Sequence, residues 1–129
     1  MPTELTVLAL AGLLQVGQFG LMAVPLNLQL GTRYTAGPRD VPPEMSGVAA
    51  RMFRAFNNHF EALILFSIAV VVVTLGEQST GVTRACAWIY LVARIAYIPA
   101  YASGIHYVRS LVWFAGFLAT AVMLLAALV

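Results

Sequence analysis

Arg51, Arg54, Asn58 and Glu61 recur at spacings of three and four, which places them on one face of a helix that runs straight into the apolar segment Ala62 to Gly76. A charged side chain at the centre of a bilayer costs about 2.5–3.5 kcal/mol on insertion scales, so such a stripe faces protein and has partners. A second set, Tyr90, Arg94, Tyr97 and Tyr101, repeats at four, three and four in another apolar segment. Guanidinium groups grip carboxylates with two parallel hydrogen bonds, and carboxamide and phenol groups add single ones. Converging, these residue types bind a small acidic molecule. The blander alternatives are that the stripe residues merely satisfy one another, and that the tyrosines form an aromatic belt at the membrane boundary. The belt reading suits Tyr90, which lies toward the other end of its segment, and does not suit the deep Arg94.

These faces must be carried by membrane-crossing helices. The chain has 129 residues, 61% hydrophobic and 9% charged, with a mean hydropathy of +0.89, far from soluble composition. Leu5 to Thr32 contains no charge and is longer than the roughly 20 residues needed to cross a bilayer. No basic residue precedes it and it is too long for a signal peptide, so it is read as a span. Gln15, Gln18, Asn27 and Gln29 give it an inward polar side, and Pro25 is expected to kink it. The stretch from Gly31 to Gly47, with Pro38, Pro42, Pro43 and the charges Arg33, Arg39, Asp40 and Glu44, reads as a connecting loop, after which Ser46 can cap the next helix. The expected architecture is an all-α membrane protein, a four-helix transmembrane bundle in a single domain, with spans at about 5–30, 47–75, 82–102 and 110–128. Pro99 is a second expected kink.

All seven basic residues are arginines, and a net charge of +2 is too small to argue for nucleic acid. Cys86 is the single cysteine, which excludes an intrachain disulfide and reads as packing. His59 lies off the polar stripe and His106 in a short connection; neither has carboxylates or cysteines beside it, so no metal site is expected, and a subunit or lipid boundary is the plain reading for His59. Arg33, Arg39, Arg51, Arg54 and Arg109 belong to one side of the membrane and Arg84 to the other, so the connections 31–47 and 103–109 are expected to be cytoplasmic and both termini to lie opposite.

At about 1.5 Å per residue, Glu61 and Arg94 both come out roughly 15 Å below the cytoplasmic boundary. The two faces are therefore expected to meet, with Glu61 near Arg94. Arg51, Arg54, Asn58, Tyr97 and Tyr101, joined by Arg33 and Arg109, would then converge above them as an anion pocket with apolar walls. Its guest would carry carboxylates for the arginines and an ammonium or amide for Glu61 and Asn58, with room for a second, lipophilic partner.

The pairing of Arg54-Ala55-x-x-Asn58-x-x-Glu61 with Arg94-x-x-Tyr97-x-x-x-Tyr101 resembles the MAPEG proteins, membrane-associated proteins in eicosanoid and glutathione metabolism, and among them the bacterial-type, microsomal glutathione transferase-like members. The resemblance covers essentially the whole chain. It implies a homotrimer in a bacterial inner membrane, with glutathione as co-substrate bound between subunits and its thiol near the cytoplasmic face. It also implies glutathione-binding roles for Arg33, Arg54, Asn58, Glu61, Tyr97 and Tyr101; Arg51 and Arg94 join this set by their place on the same polar faces, and Arg109 and Tyr101 are the expected catalytic residues. The thiol-activating arginine of the leukotriene-forming synthase falls seven residues after the second tyrosine, where this chain has Val108, with Arg109 next. Ala62 stands where that synthase has a tyrosine.

The implied activity is transfer of glutathione to lipophilic electrophiles, or reduction of lipid hydroperoxides by it, at the membrane boundary. A cation beside the sulfur stabilises the thiolate, the reactive form of a thiol whose free pKa is about 8.5. The alternative is a non-catalytic lipid- or glutathione-binding scaffold of the same fold. A small exporter fits less well, because the first span has no carboxylate after Glu4 to couple transport.

Overall fold

The structure is a computed structural model that describes residues 1–31, 47–103 and 106–129. The expected cap at Ser46, the charges and prolines of the first connection, including Arg33, and the side chains of Pro25, Gln29 and His106 lie outside the described residues.

Among the described residues four helices follow one another: α1 (Thr3–Leu30), α2 (Gly47–Leu75), α3 (Gly81–Ser103) and α4 (His106–Leu128). All four are long and apolar enough to cross a membrane. Their outward faces carry Leu13, Val16 and Phe19 on α1, Ile64 and Ile68 on α2, Val92 and Ile95 on α3, and Leu111 and Leu118 on α4, all exposed. In water such a surface would aggregate; in a bilayer it is the solvated side. Helices α2 and α3 touch each other, and each also touches α1 and α4, while among the described residues α1 and α4 do not meet. The polar stripes therefore lie on the two helices with the most neighbours.

Both expected kink sites sit inside continuous helices, since α1 runs through Pro25 and α3 through Pro99. Proline removes one backbone donor, and the packed neighbours of a bundle absorb that loss without ending the helix.

The turn between α2 and α3 is closed by local bonding at both ends. The Gln78 amide donates to the Val73 carbonyl at 2.9 Å and the Glu77 amide to Thr74 at 3.3 Å, while Glu77 takes a left-handed φ of 56°. This is a Schellman ending with a glutamate where glycine is usual. Helix α3 is then opened by Thr80 and Thr83, whose hydroxyls each accept the other's backbone N–H. Glu4 of α1 is buried against this start and accepts hydrogen bonds from Ser79 at 2.6 Å and Thr83 at 2.9 Å. A carboxylate at a helix N-terminus is favourably placed, and here it ties α1 to the far end of the bundle.

Between the helices lies a core cluster of Val7, Ala11, Phe66, Val70, Val73, Cys86, Tyr90 and Met123 with their neighbours, and Met22 and Met52 form a second, smaller one. Tyr90 corrects the belt expectation: it is 1% exposed and stacks on Phe66 with ring centroids 3.9 Å apart. Its ring points between helices and adds stacking to burial. Cys86 packs in the same cluster.

Candidate functional site

The polar ends of α2, α3 and α4 open a cavity of about 760 Å³ at the end of the bundle where α2 and α4 begin and α3 ends. Arg54 and Asn58 come from α2, Tyr97 and Tyr101 from α3, and Tyr107, Arg109, Ser110, Leu111, Trp113 and Phe114 from α4. The helical spacing of the first four brings them to facing walls. Arg54 Nε donates to the Tyr101 hydroxyl oxygen at 3.0 Å, and the Arg109 guanidinium lies over the Tyr101 ring, 4.8 Å from its centroid. Tyr101 is thus held between two arginines on two other helices. Because its oxygen already accepts from Arg54, its own O–H is left to donate to a bound anion.

Helix α4 begins at His106, so Arg109 stands in its first turn rather than in a connection. There its charge adds to the positive end of the helix dipole, and both favour an anion in the cavity. Val108 is exposed and does not line the cavity. The neighbouring position turns about 100° around the helix, and that rotation, with the packing on Tyr101, is what brings Arg109 to the site.

Arg94 lies deeper and is 2% exposed. The expected closeness of Glu61 and Arg94 takes a different form from a pair. Arg94 Nε donates to His59 Nδ1 at 3.2 Å and Nη1 donates to Asn58 Oδ1 at 3.0 Å, while Nη2 has no hydrogen-bond partner among the described residues. Its guanidinium also covers the Tyr97 ring at 4.2 Å. Glu61 is exposed, and the two meet only as walls of a second cavity of about 190 Å³ with Ala62, Leu65, Trp113, Gly116, Phe117 and Thr120. The physical reason is desolvation. Pairing at this depth would strip water from two charges, whereas two neutral acceptors, His59 Nδ1 and Asn58 Oδ1, each take an N–H of the guanidinium without burying a second charge.

His59 also departs from expectation. Instead of facing lipid or another subunit it is fully buried, with Nε2 3.2 Å from the Ala11 carbonyl of α1 and Nδ1 taken by Arg94. Arg51, half-buried one turn before Arg54, does not line the main cavity.

The contribution of α4 was the part missed by motif reasoning. Tyr107, Ser110, Leu111 and Phe114 follow the i, i+3, i+4, i+7 spacing of one helical face, which was there to be read. In a largely apolar helix, however, that face is indistinguishable from lipid-facing surface until a partner helix is placed against it.

The family model described as MAPEG family matches residues 7–129. The chain belongs to that family. Nothing matched among curated proteins or among solved structures. MAPEG membership suggests a glutathione transferase or an eicosanoid-related membrane function. On this MAPEG chain the cavity offers two guanidinium groups, Arg54 and Arg109, and phenol and carboxamide groups between them. Its apolar wall of Leu111, Trp113 and Phe114 belongs to a helix that also exposes Leu118 and Leu125 farther along. Such an arrangement suits an acidic ligand met by a lipophilic one.

Proposed function

We propose that the protein is a membrane-embedded glutathione-dependent transferase that joins the glutathione thiolate to lipophilic electrophiles. The observation that carries this reading is Tyr101 held between Arg54 and Arg109 in a cavity of about 760 Å³. Arg54 and the carboxamide of Asn58 bind carboxylate or carbonyl groups of the tripeptide. Arg109 and the Tyr101 O–H stabilise the sulfur anion after its proton passes to water. The thiolate then attacks the electrophilic carbon, the S–C bond forms, and the leaving group departs with its electron pair. One contact between thiolate and guanidinium that lowers the thiol pKa by one unit contributes about 1.4 kcal/mol.

The reading extends to a homotrimer with the tripeptide bound between neighbouring subunits, and the resemblance implies that Arg33 is among its contacts. It also places the protein in a bacterial inner membrane, with the site toward the cytoplasm and both termini toward the periplasm. The clustering of arginines at the site end of the bundle supports that orientation.

The test is a glutathione titration of purified protein followed by thiolate absorbance, then turnover with an aryl halide and with a lipid hydroperoxide. Aryl halide turnover supports the transferase. Hydroperoxide turnover would add peroxidase chemistry, in which the thiolate takes the distal oxygen, an alcohol leaves, and a second glutathione converts the sulfenic acid to disulfide and water. Glutathione binding with neither activity would favour the scaffold alternative.

A further inference from the structure

A buried chain of hydrogen bonds runs from α1 to the cavity wall: Ala11 carbonyl, His59, Arg94, Asn58. Its polarity is determined at one point. A guanidinium has only donors, so Arg94 requires an acceptor at His59 Nδ1 and another at Asn58 Oδ1. The imidazole must then carry its proton on Nε2, where the Ala11 carbonyl at 3.2 Å accepts it. The carboxamide of Asn58 must place its oxygen toward Arg94, which leaves its NH₂ for the cavity that Asn58 lines. Amide and imidazole orientations are ordinarily ambiguous, but here the reversed amide and a ring protonated on Nδ1 each set donor against donor, and a flipped ring would give up both bonds.

We infer that His59 is a positioning residue that sets the ligand preference of the site: by pinning Arg94 it holds Asn58 so that the cavity presents a donor there. The site then takes a carbonyl or carboxylate oxygen at this point. An ammonium, which the sequence alone allowed at Asn58, would meet the wrong end of the amide. Three helices carry the device, with His59 fully buried and Arg94 2% exposed, so neither orientation is left to solvent. The choice of ligand in the binding arm below rests on the glutathione reading; the device itself does not.

Imidazole ¹⁵N spectra of the full-length protein, with His106→Gln used to isolate His59, are expected to show a neutral ring protonated on Nε2. A proton on Nδ1, or a cationic ring, would overturn the inference. His59→Leu should shift the Asn58 side-chain amide resonances, and His59→Asn, whose Oδ1 sits where Nδ1 did, should return them toward the wild-type positions. Unshifted Asn58 resonances in a folded His59→Leu protein would also overturn it. In glutathione titrations, His59→Leu should weaken binding about 10-fold with most of it restored in His59→Asn, and Asn58→Asp should bind about 10-fold more weakly than Asn58→Ala. Equal or tighter binding by Asn58→Asp would mean that an acceptor is wanted there, against the inference. If wild-type protein binds no glutathione, the functional reading fails while the spectra still decide the role of His59.

Discussion

Arg54 Nε and the Tyr101 hydroxyl oxygen are 3.0 Å apart, joining α2 to α3 across 47 residues of sequence at the edge of the cavity. The bond uses the acceptor side of the phenol and leaves its O–H free to donate to a ligand. It therefore couples the residue that would hold a carboxylate to the one that would steady a sulfur anion.

Tyr101→Phe keeps the ring under Arg109 and removes only the hydroxyl. A hydrogen bond to a charged group contributes about 1.5–3 kcal/mol, so kcat/KM with an aryl halide should fall by about 10–100-fold. A loss under about twofold would place the hydroxyl away from the reacting sulfur.

Replacing Arg109 by Ala should depress kcat well beyond its effect on the glutathione dissociation constant, because the guanidinium interacts more strongly with the thiolate than with the thiol. Paired kinetic and binding measurements check this. Equal losses in both would reduce Arg109 to a binding residue.

Arg94 and Glu61 are expected to behave unlike partners. Arg94→Met leaves His59 Nδ1 and Asn58 Oδ1 buried without their donor and should cost about 2–4 kcal/mol in unfolding experiments. Glu61→Gln changes an exposed side chain and should stay within about 0.5 kcal/mol. A large stability loss in Glu61→Gln would restore the ion pair that the structure does not contain.

Glu77 occupies the left-handed position of the turn between α2 and α3 with φ 56°. Glycine adopts that conformation without the steric penalty of a Cβ, so Glu77→Gly should stabilise the protein by about 1 kcal/mol, read as a rise in unfolding temperature. No change in catalysis should accompany it, since the turn lies at the opposite end of the bundle from the cavity.

Much of the architecture was legible because a bilayer leaves few options. Helices are the spanning structure open to segments of this length and composition, and the charge-free stretches are long enough to be counted directly. The spacings of Arg54 and Asn58, and of Tyr97 and Tyr101, likewise marked two walls of the cavity in advance, because helical periodicity alone sorts residues onto faces. Tyr90 was misread as interfacial for the same reason that Tyr107 was overlooked: an aromatic ring on an apolar helix looks alike whether it meets lipid, a ligand or Phe66.

By itself, then, the sequence determined that there are helices to span a membrane and that two of them carry polar faces. Those are local properties of composition and period. Which atom of Arg94 meets which acceptor, whether His59 faces lipid or Ala11, and whether Arg109 or Val108 reaches Tyr101 were decided only when the helices packed. Rotation of a helix by one residue, about 100°, changes every such partner while leaving the pattern along the chain untouched.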